Sequence, residues 1–437
     1  MLANFDPTIL LKLFRFLGTK DLKQLSCVSK YLSEYAKYSL TYKRQVIIRS
    51  ISNVPNFEYI KKLTISSTIA ISSVDNLPTN LQELIVKGDN TISSVDNLPS
   101  GLQKLEIRGQ NTISSVDKLP SSLQYLAIYG NNTILDIDSI PSGLKTTFIG
   151  GGNTISSVTK FPSDLRKLSI CGCNTISSVD NLPSSLRMLI IRGNNIISSV
   201  DNIPPGLQGL SIWGNNEIRD IDKLPSGLQK LGIVGYNTIS SVTKLPSSLQ
   251  ELSIWGNNEI KDIDKLPSGL QKLGIVGYNT ISSVTKLPSG LQRLEIAGSN
   301  TISSVDNLPS SLQHLGIRGQ NTISSVDKLP SGLQVLGIDG YNTISSVENI
   351  PSCLQEGIFW GQNTISSVAK LPFGLRKLSI CGCNTISSVD NLPSGLRVLV
   401  INGNNTILNI DSIPSGLQKL IISGQNIIKK VVNLPLA

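Results

Sequence analysis

The sequence predicts a three-helix module followed by a parallel β-solenoid, and three observations carry that prediction. Proline recurs every 21 residues from Pro78 to Pro435, eighteen times without a slip; glycine does so from Gly88 to Gly424, and asparagine from Asn90 to Asn426. Each copy holds an L-x-x-L-x-I segment between its proline and its glycine, as in Leu102, Leu105 and Ile107. Residues 1–45 lack these marks and show apolar residues at helical spacing between capping signals.

In the N-terminal segment, Asp6 suits an N-cap and Pro7 the first helical position. The run ILLKLFRFL ends at Gly18, a residue suited to close a helix. Thr19 caps a second short helix, KDLKQLSCV, and a third runs through SKYLSEYAKYSL. Three short helices bury little apolar surface alone. Ile9, Leu10, Leu13, Phe14, Phe16, Leu17, Leu22 and Leu25 exceed what such a bundle covers, so the first coils or a partner must take the rest. A basic stretch (Lys43, Arg44, Arg49) leads through a linker over 46–56 into the repeats of 57–437.

One unit reads LPSGLQKLEIRGQNTISSVDN, starting at Leu98. Seventeen complete units start at the prolines from Pro78 to Pro414, and a degenerate coil (Ile60, Leu63, Ile65, Ile71, Val74) precedes them. A 21-residue period fits one short strand and an extended return, and is too short for a strand and a full helix. The L-x-I end of the apolar segment alternates as a half-buried strand does, and proline and glycine break regular structure on either side. A single unit cannot bury its leucines and isoleucines, whereas stacking sets them in continuous columns. The asparagine column reads as structural: a buried amide satisfies backbone groups of its own and the next coil. The glycine column supplies a conformation with no room for a side chain.

Composition excludes most chemistry. Charged residues make up 16% and aromatics 5% of the chain, and His314 is the one histidine. That argues against Ser-His-Asp triads, Cys-His dyads and His-based metal sites. No catalytic residue, metal site or cofactor is expected, and the reading is of a protein that is not an enzyme. No apolar run is long enough to span a membrane. Residues 1–64 hold 11 basic and 4 acidic residues, +7 of the total +9, so the other 373 are nearly neutral with 28 against 26. A nucleic-acid surface should be basic where it is largest, so neither nucleic acid nor membrane is an expected partner. The pairs Cys171/Cys173 and Cys381/Cys383 lie ten coils apart, too far to share a metal ion or a disulfide. The opening residues lack the order of a secretory leader, and six cysteines make no disulfide scaffold, so a reduced intracellular, cytoplasmic setting is expected.

Comparing the copies with one another shows what each coil requires and where it is free. Variation concentrates at four alternate positions flanking the buried strand residues, which period-2 alternation sends to the face opposite the core. The third column holds Arg108, Tyr129, Arg192, Trp213, Trp255, Arg318 and Trp360, including every tryptophan of the chain. The fourth holds Tyr236, Tyr278 and Tyr341. Regularly spaced aromatic and arginine side chains on an exposed sheet make these ten the candidate contacts for a target protein. The units around Trp213 and Trp255 are near copies.

The frame L-P-x-x-L-x-x-L-x-I-x-G-x-N-x-I-x-x-V resembles the leucine-rich repeat, most closely its short LP-x-x-L variants such as the FNIP repeats of amoebal and giant-virus proteins. It departs from FNIP where N-T-I stands in place of F-N-x-P-I. The string F-D-P-T-I-L-L-K-L-F-R-F-L-x₃-D-L-x-x-L-x-x-V-S-K resembles the F-box, with Phe5-Asp6 in place of the usual Leu-Pro. These resemblances imply an F-box-like three-helix module ahead of a leucine-rich-repeat solenoid whose concave sheet face binds targets. The F-box resemblance implies docking onto a Skp-family adaptor of a cullin–RING ubiquitin ligase through Pro7, Ile9, Leu10, Leu13, Phe14, Leu17, Leu22 and Leu25. The chain would then be a non-catalytic substrate receptor in the cytoplasm, a host's if the protein is viral. The alternative is a leucine-rich-repeat scaffold that binds protein without a ubiquitin role.

Overall fold

Each coil opens on a tight turn. The Pro99 carbonyl accepts a hydrogen bond from the Leu102 amide at 3.0 Å, and the chain then enters a strand. The same turn recurs at Pro120, Pro225 and Pro330. Proline cannot donate to a ladder, so it stands where the strand has not yet begun. The strand carries the L-x-I segment, and the remaining residues return in extended form. In the coil from Pro99, Leu102, Leu105, Ile107, Ile113 and Val116 are all fully buried. Full burial of such a side chain contributes about 1.5–3 kcal/mol, so stacking drives the fold.

The computed structural model describes residues 46–48, 60–67, 71–158, 160–407, 409–410, 413–424 and 430–431. The helices expected over 1–45 lie outside these residues, and among the described residues there are strands and turns but no helix. The chain divides into two units, Met1–Ile196 and Ile197–Ala437. In the first, β1 (Val46–Ile48), β2 (Lys62–Ser67), β3 (Glu83–Gly88), β4 (Lys104–Ile107), β5 (Tyr125–Ile128), β6 (Thr146–Ile149), β7 (Lys167–Cys171) and β8 (Met188–Asn195) pair in parallel, each with the next. β1 falls within the segment 46–56 that the sequence assigned to a linker. Its Val-Ile-Ile run is β-branched and meets Leu63–Ile65 at a 17-residue step, from Val46 to Leu63.

In the second unit, β9 (Gly209–Gly214), β10 (Lys230–Val234), β11 (Glu251–Trp255), β12 (Lys272–Val276) and β13 (Arg293–Ala297) run parallel in the same consecutive order. The ladder continues through β14 (His314–Arg318), β15 (Val335–Asp339), β16 (Glu356–Asn363), β17 (Lys377–Gly382) and β18 (Val398–Asn402). β19 (Asn409–Ile410) pairs with β21 (Lys430–Val431), and β20 (Lys419–Ser423) pairs with β18. Each step of this main ladder advances one full period, as in Leu231 opposite Leu252, except at the end of β16, where the register shifts and Asn363 meets Gly382; identical columns otherwise face one another. A one-residue slip would turn every leucine to the wrong face.

The buried asparagines hold three coils together rather than two. Asn321 Nδ2 donates to the Asp339 carbonyl of the following coil at 3.2 Å, and its Oδ1 accepts the Ile302 amide of the preceding coil at 3.1 Å. The column from Asn90 to Asn405 is completely buried. The glycine beside it is required sterically. Gly340 has φ 153°, and a Cβ there would sit 2.7 Å from the Gly319 carbonyl oxygen. Across the return segments, exposed pairs such as Lys244–Asp222 (2.6 Å) and Lys286–Asp264 (2.8 Å) join neighbouring coils and add little stability.

Candidate functional site

The register sets the geometry of the sheet face opposite the core. Since each strand is offset by one period, a variable position in one coil lies directly beside its counterpart in the next. Its neighbours are therefore a column of copies. In the second unit, Trp213, Val234, Trp255, Val276 and Ala297 form one such column. Ser211, Gly232, Ser253 and Gly274 form the column beside it, which Glu295 closes. Lys230, Glu251, Lys272 and Arg293 make the third.

Together these columns form a groove of about 550 Å³ with a mostly apolar lining. The Ser/Gly column is its floor, stripped of side chains. One wall is aromatic, with Trp213 41% and Trp255 44% exposed. The other is a charge ladder in which Glu251 accepts from both Lys230 and Lys272 at 3.1 Å, while Arg293 binds Glu295 at 3.0 Å. Partial burial raises the Glu251 carboxyl, but the two lysines outweigh it and hold it below its ordinary range. His314, opposite Arg293, is held below the ordinary imidazole value by burial and then by that guanidinium.

Trp255 and Trp360 lean toward the following coil. Trp255 Nε1 lies 3.8 Å from where a Cβ on Gly274 would stand. Trp360 Nε1 donates to Ser379 Oγ at 3.3 Å. The floor residue after each must be small, and Gly274 and Ser379 are.

The first unit carries a different cluster on the same kind of face. Arg108 lies over the Tyr129 ring at 5.2 Å, and its Nε is 2.7 Å from Glu106. Lys104 lies over Tyr125 at 5.3 Å, and Tyr125 packs on Phe148 with ring centroids 6.0 Å apart. Burial raises both tyrosine hydroxyls; Arg108 pulls back on each.

The structure thus brings Arg108 to Tyr129, and Trp213 and Trp255 into one groove. It sets Arg192, Arg318 and Trp360 exposed on their own strands. The fourth column behaves differently. Strands such as β10 end before it, and Tyr236 lines a separate shallow depression with Glu217, Arg219, Thr238 and Asn257. Tyr278 and Tyr341 are 67% and 57% exposed. The adaptor contacts implied at Pro7, Ile9, Leu10, Leu13, Phe14, Leu17, Leu22 and Leu25 lie outside the described residues. Among the described residues no cluster of His, Cys, Asp and Glu could hold a metal ion, and the described cysteines are free thiols.

Sequence reasoning missed the floor and the charged wall. These are the first two of the four variable columns, and only residues of the third and fourth were singled out as contacts. A signal was nevertheless present: Ser-Ile-Trp followed one coil later by Gly-Ile-Val occurs twice in succession, at 211–213 and 232–234, then at 253–255 and 274–276.

No family model matches the chain, and no curated protein matches it. Solved structures do. YopM from Yersinia enterocolitica WA-314 superposes with a TM-score of 0.70 at 23% identity, over 96% of this chain and 98% of that one. YopM from Yersinia pestis, a leucine-rich effector protein, gives 0.51 at 23%, over 73% and 82%. The functional domain of InlJ from Listeria monocytogenes gives 0.52 at 18%, over 76% and 71%. The chain is a leucine-rich-repeat-type β-solenoid. At these identities the likeness extends to the fold and not to the residues of the groove, and the FNIP and F-box resemblances rest on their residue patterns alone.

Proposed function

We propose that this chain is a non-catalytic scaffold that holds a partner protein on the sheet face opposite its core. One observation carries the reading: the coil keeps its buried columns nearly constant and varies the exposed ones. Tyr129, Trp213, Trp255 and Trp360 are 37–46% exposed on that face. Aromatic side chains left open at this density are typical anchors of protein interfaces. The test is affinity capture from the native cell, comparing wild type with Arg108→Ser/Trp213→Ser/Trp255→Ser/Trp360→Ser and with the return-segment variant Lys118→Ser/Lys370→Ser. Partners lost in the first variant and kept in the second support the reading. Partners retained by the first, or lost equally from both, overturn it.

A second reading adds a ligase role, favoured by the F-box-like string over residues 5–30. Here residues 1–45 dock a Skp-family adaptor, the solenoid presents the target, and ubiquitin is transferred by other subunits. Copurification with such an adaptor, abolished by Leu10→Asp/Leu13→Asp, supports it. Failure of wild type to bind the adaptor removes it and leaves the scaffold reading standing.

A further inference from the structure

We propose that the groove between Trp213 and Arg293 binds a proline-rich segment of a partner in the polyproline II conformation. The inference rests on the protein-binding reading of this face and names the chemistry of what one part of it takes. Three observations lead to it.

The first is period. Trp213 and Trp255 are two strands apart with Val234 between them, and parallel strands are about 4.8 Å apart, so the indoles repeat at about 9.6 Å. A polyproline II helix has three residues per turn at about 3.1 Å each, a repeat of about 9.3 Å. Two prolines three residues apart therefore meet two successive slots, each opening on a valine beside an indole. One lies over Val234 between the indoles, and the next over Val276 between Trp255 and Ala297. A β-strand peptide repeats its side chains every 6.6–6.8 Å or so and misses this spacing. It also finds no edge to pair with, because β10, β11 and β12 are bonded on both sides.

The second is hydrogen-bonding character. The polyproline II backbone makes no internal hydrogen bonds, so its carbonyls stand free, and its prolines bring no N–H. Such a ligand offers acceptors. The groove offers donors: the Trp255 indole N–H leans over the floor, and Lys230, Lys272 and Arg293 line the opposite wall. A glycan of similar repeat offers as many donors as acceptors and matches this wall less well.

The third is charge and room. Three cations face two carboxylates, and both carboxylates are already bridged. The wall keeps one positive charge in excess and favours a neutral or singly acidic segment over a basic one. Gly232 leaves the floor low enough for a backbone to approach, Gly274 makes room for the Trp255 indole, and the groove volume lies within the range of ligand sites. Aromatic-lined grooves of this build are a recurring means of holding pre-extended proline-rich chains.

The test is titration of the full chain with an acetylated, amidated deca-proline peptide, followed by calorimetry and tryptophan fluorescence. Cellohexaose and a Thr-Val repeat decapeptide serve as comparison ligands. Saturable binding of deca-proline is expected, weakened roughly tenfold or more by Trp255→Ala, the loss of an aromatic anchor. Gly274→Val, which crowds the Trp255 indole against the floor, should weaken it similarly, and the return-segment variant Lys118→Ser should leave it unchanged. Each variant's urea midpoint shows whether it folds. Absence of deca-proline binding at millimolar concentration, tighter binding of either comparison ligand, or equal loss in Lys118→Ser overturns the proposal. A partner captured by the sheet face that deca-proline does not displace refutes this ligand class and leaves the scaffold reading intact.

Discussion

Thr147 shows how much one atom matters in a molecule made of copies. It occupies the slot that holds Leu126 and Leu168 in the adjacent coils and is fully buried, yet its Oγ1 has no hydrogen-bond partner. An orphaned buried hydroxyl costs about 1–3 kcal/mol, so Thr147→Val should raise stability by about 1 kcal/mol or more. A higher urea midpoint at unchanged slope would show it; an unchanged or lower midpoint would count against it. Asn321 presents the opposite case, since its amide serves two coils and is sealed from water. Asn321→Ala leaves the Ile302 N–H unpaired and takes one of two donors from the Asp339 carbonyl, which keeps the Gly319 amide, and should cost about 1–3 kcal/mol. Asn321→Asp should not rescue it, because a carboxylate keeps the acceptor but loses the donor and buries a charge. Equal stability of the two variants and wild type in denaturant titration would contradict the bridging role. The asparagine column was legible as structure from its strict recurrence. The orphan at Thr147 was not, because threonine suits a strand as well as valine does and only burial reveals the missing partner.

At the level of the element, β16 departs from the pattern in a compensated way. Its leucine slot is Gly357 and its isoleucine slot is Phe359, the largest fully buried side chain of the described residues. A Cβ added at Gly357 would lie 3.1 Å from Phe359 Cε2 and 3.4 Å from Leu378 Cδ1, so the phenyl ring has moved into the space a leucine would fill. Gly357→Leu alone should overpack and cost about 1–3 kcal/mol. Phe359→Ile alone should open a cavity and cost a similar amount, about 1–3 kcal/mol. Together the two substitutions recreate the Leu/Ile pair of the other coils and should recover most of the loss, a coupling of about 2 kcal/mol. Strictly additive losses in the double variant would show that the ring and the glycine are independent. The strands of the repeated coils were readable because leucine and isoleucine alternate on a fixed period. β1 was not, since Val46–Ile48 carries neither the proline nor the asparagine and joins the ladder at a shorter step. The aromatic wall was foreseen at Trp213 and Trp255. The groove needs register as well: only when copies lie side by side do isolated Gly and Ser residues become a continuous floor.

On the scale of the whole molecule, a solenoid's stability is close to a sum over coils and the contacts between neighbours. Whole coils are therefore removable units, while fractions of a coil are not. Deleting 309–329 joins Leu308 to Pro330 with every column still in register, and should leave a cooperatively folded β protein by circular dichroism. Deleting 309–318 breaks the period and should unfold the surrounding coils. The same logic separates fold from recognition in a way no point substitution does. Deleting 225–245 also removes one intact coil, but it is the coil that holds Gly232 and Val234. Trp213 would then lie directly beside Trp255 at about 4.8 Å rather than two spacings away, the slot over Val234 would vanish, and Ser211 would meet Ser253. This variant should fold as well as the 309–329 deletion and bind deca-proline at least tenfold more weakly, the scale of a lost anchor, whereas the 309–329 deletion should bind like wild type. Both deletions take out the same length of chain and the same number of buried leucines, so stability cannot account for a difference between them. If the two bind alike, the spacing of the indoles is irrelevant and the groove does not read the pitch of a polyproline helix.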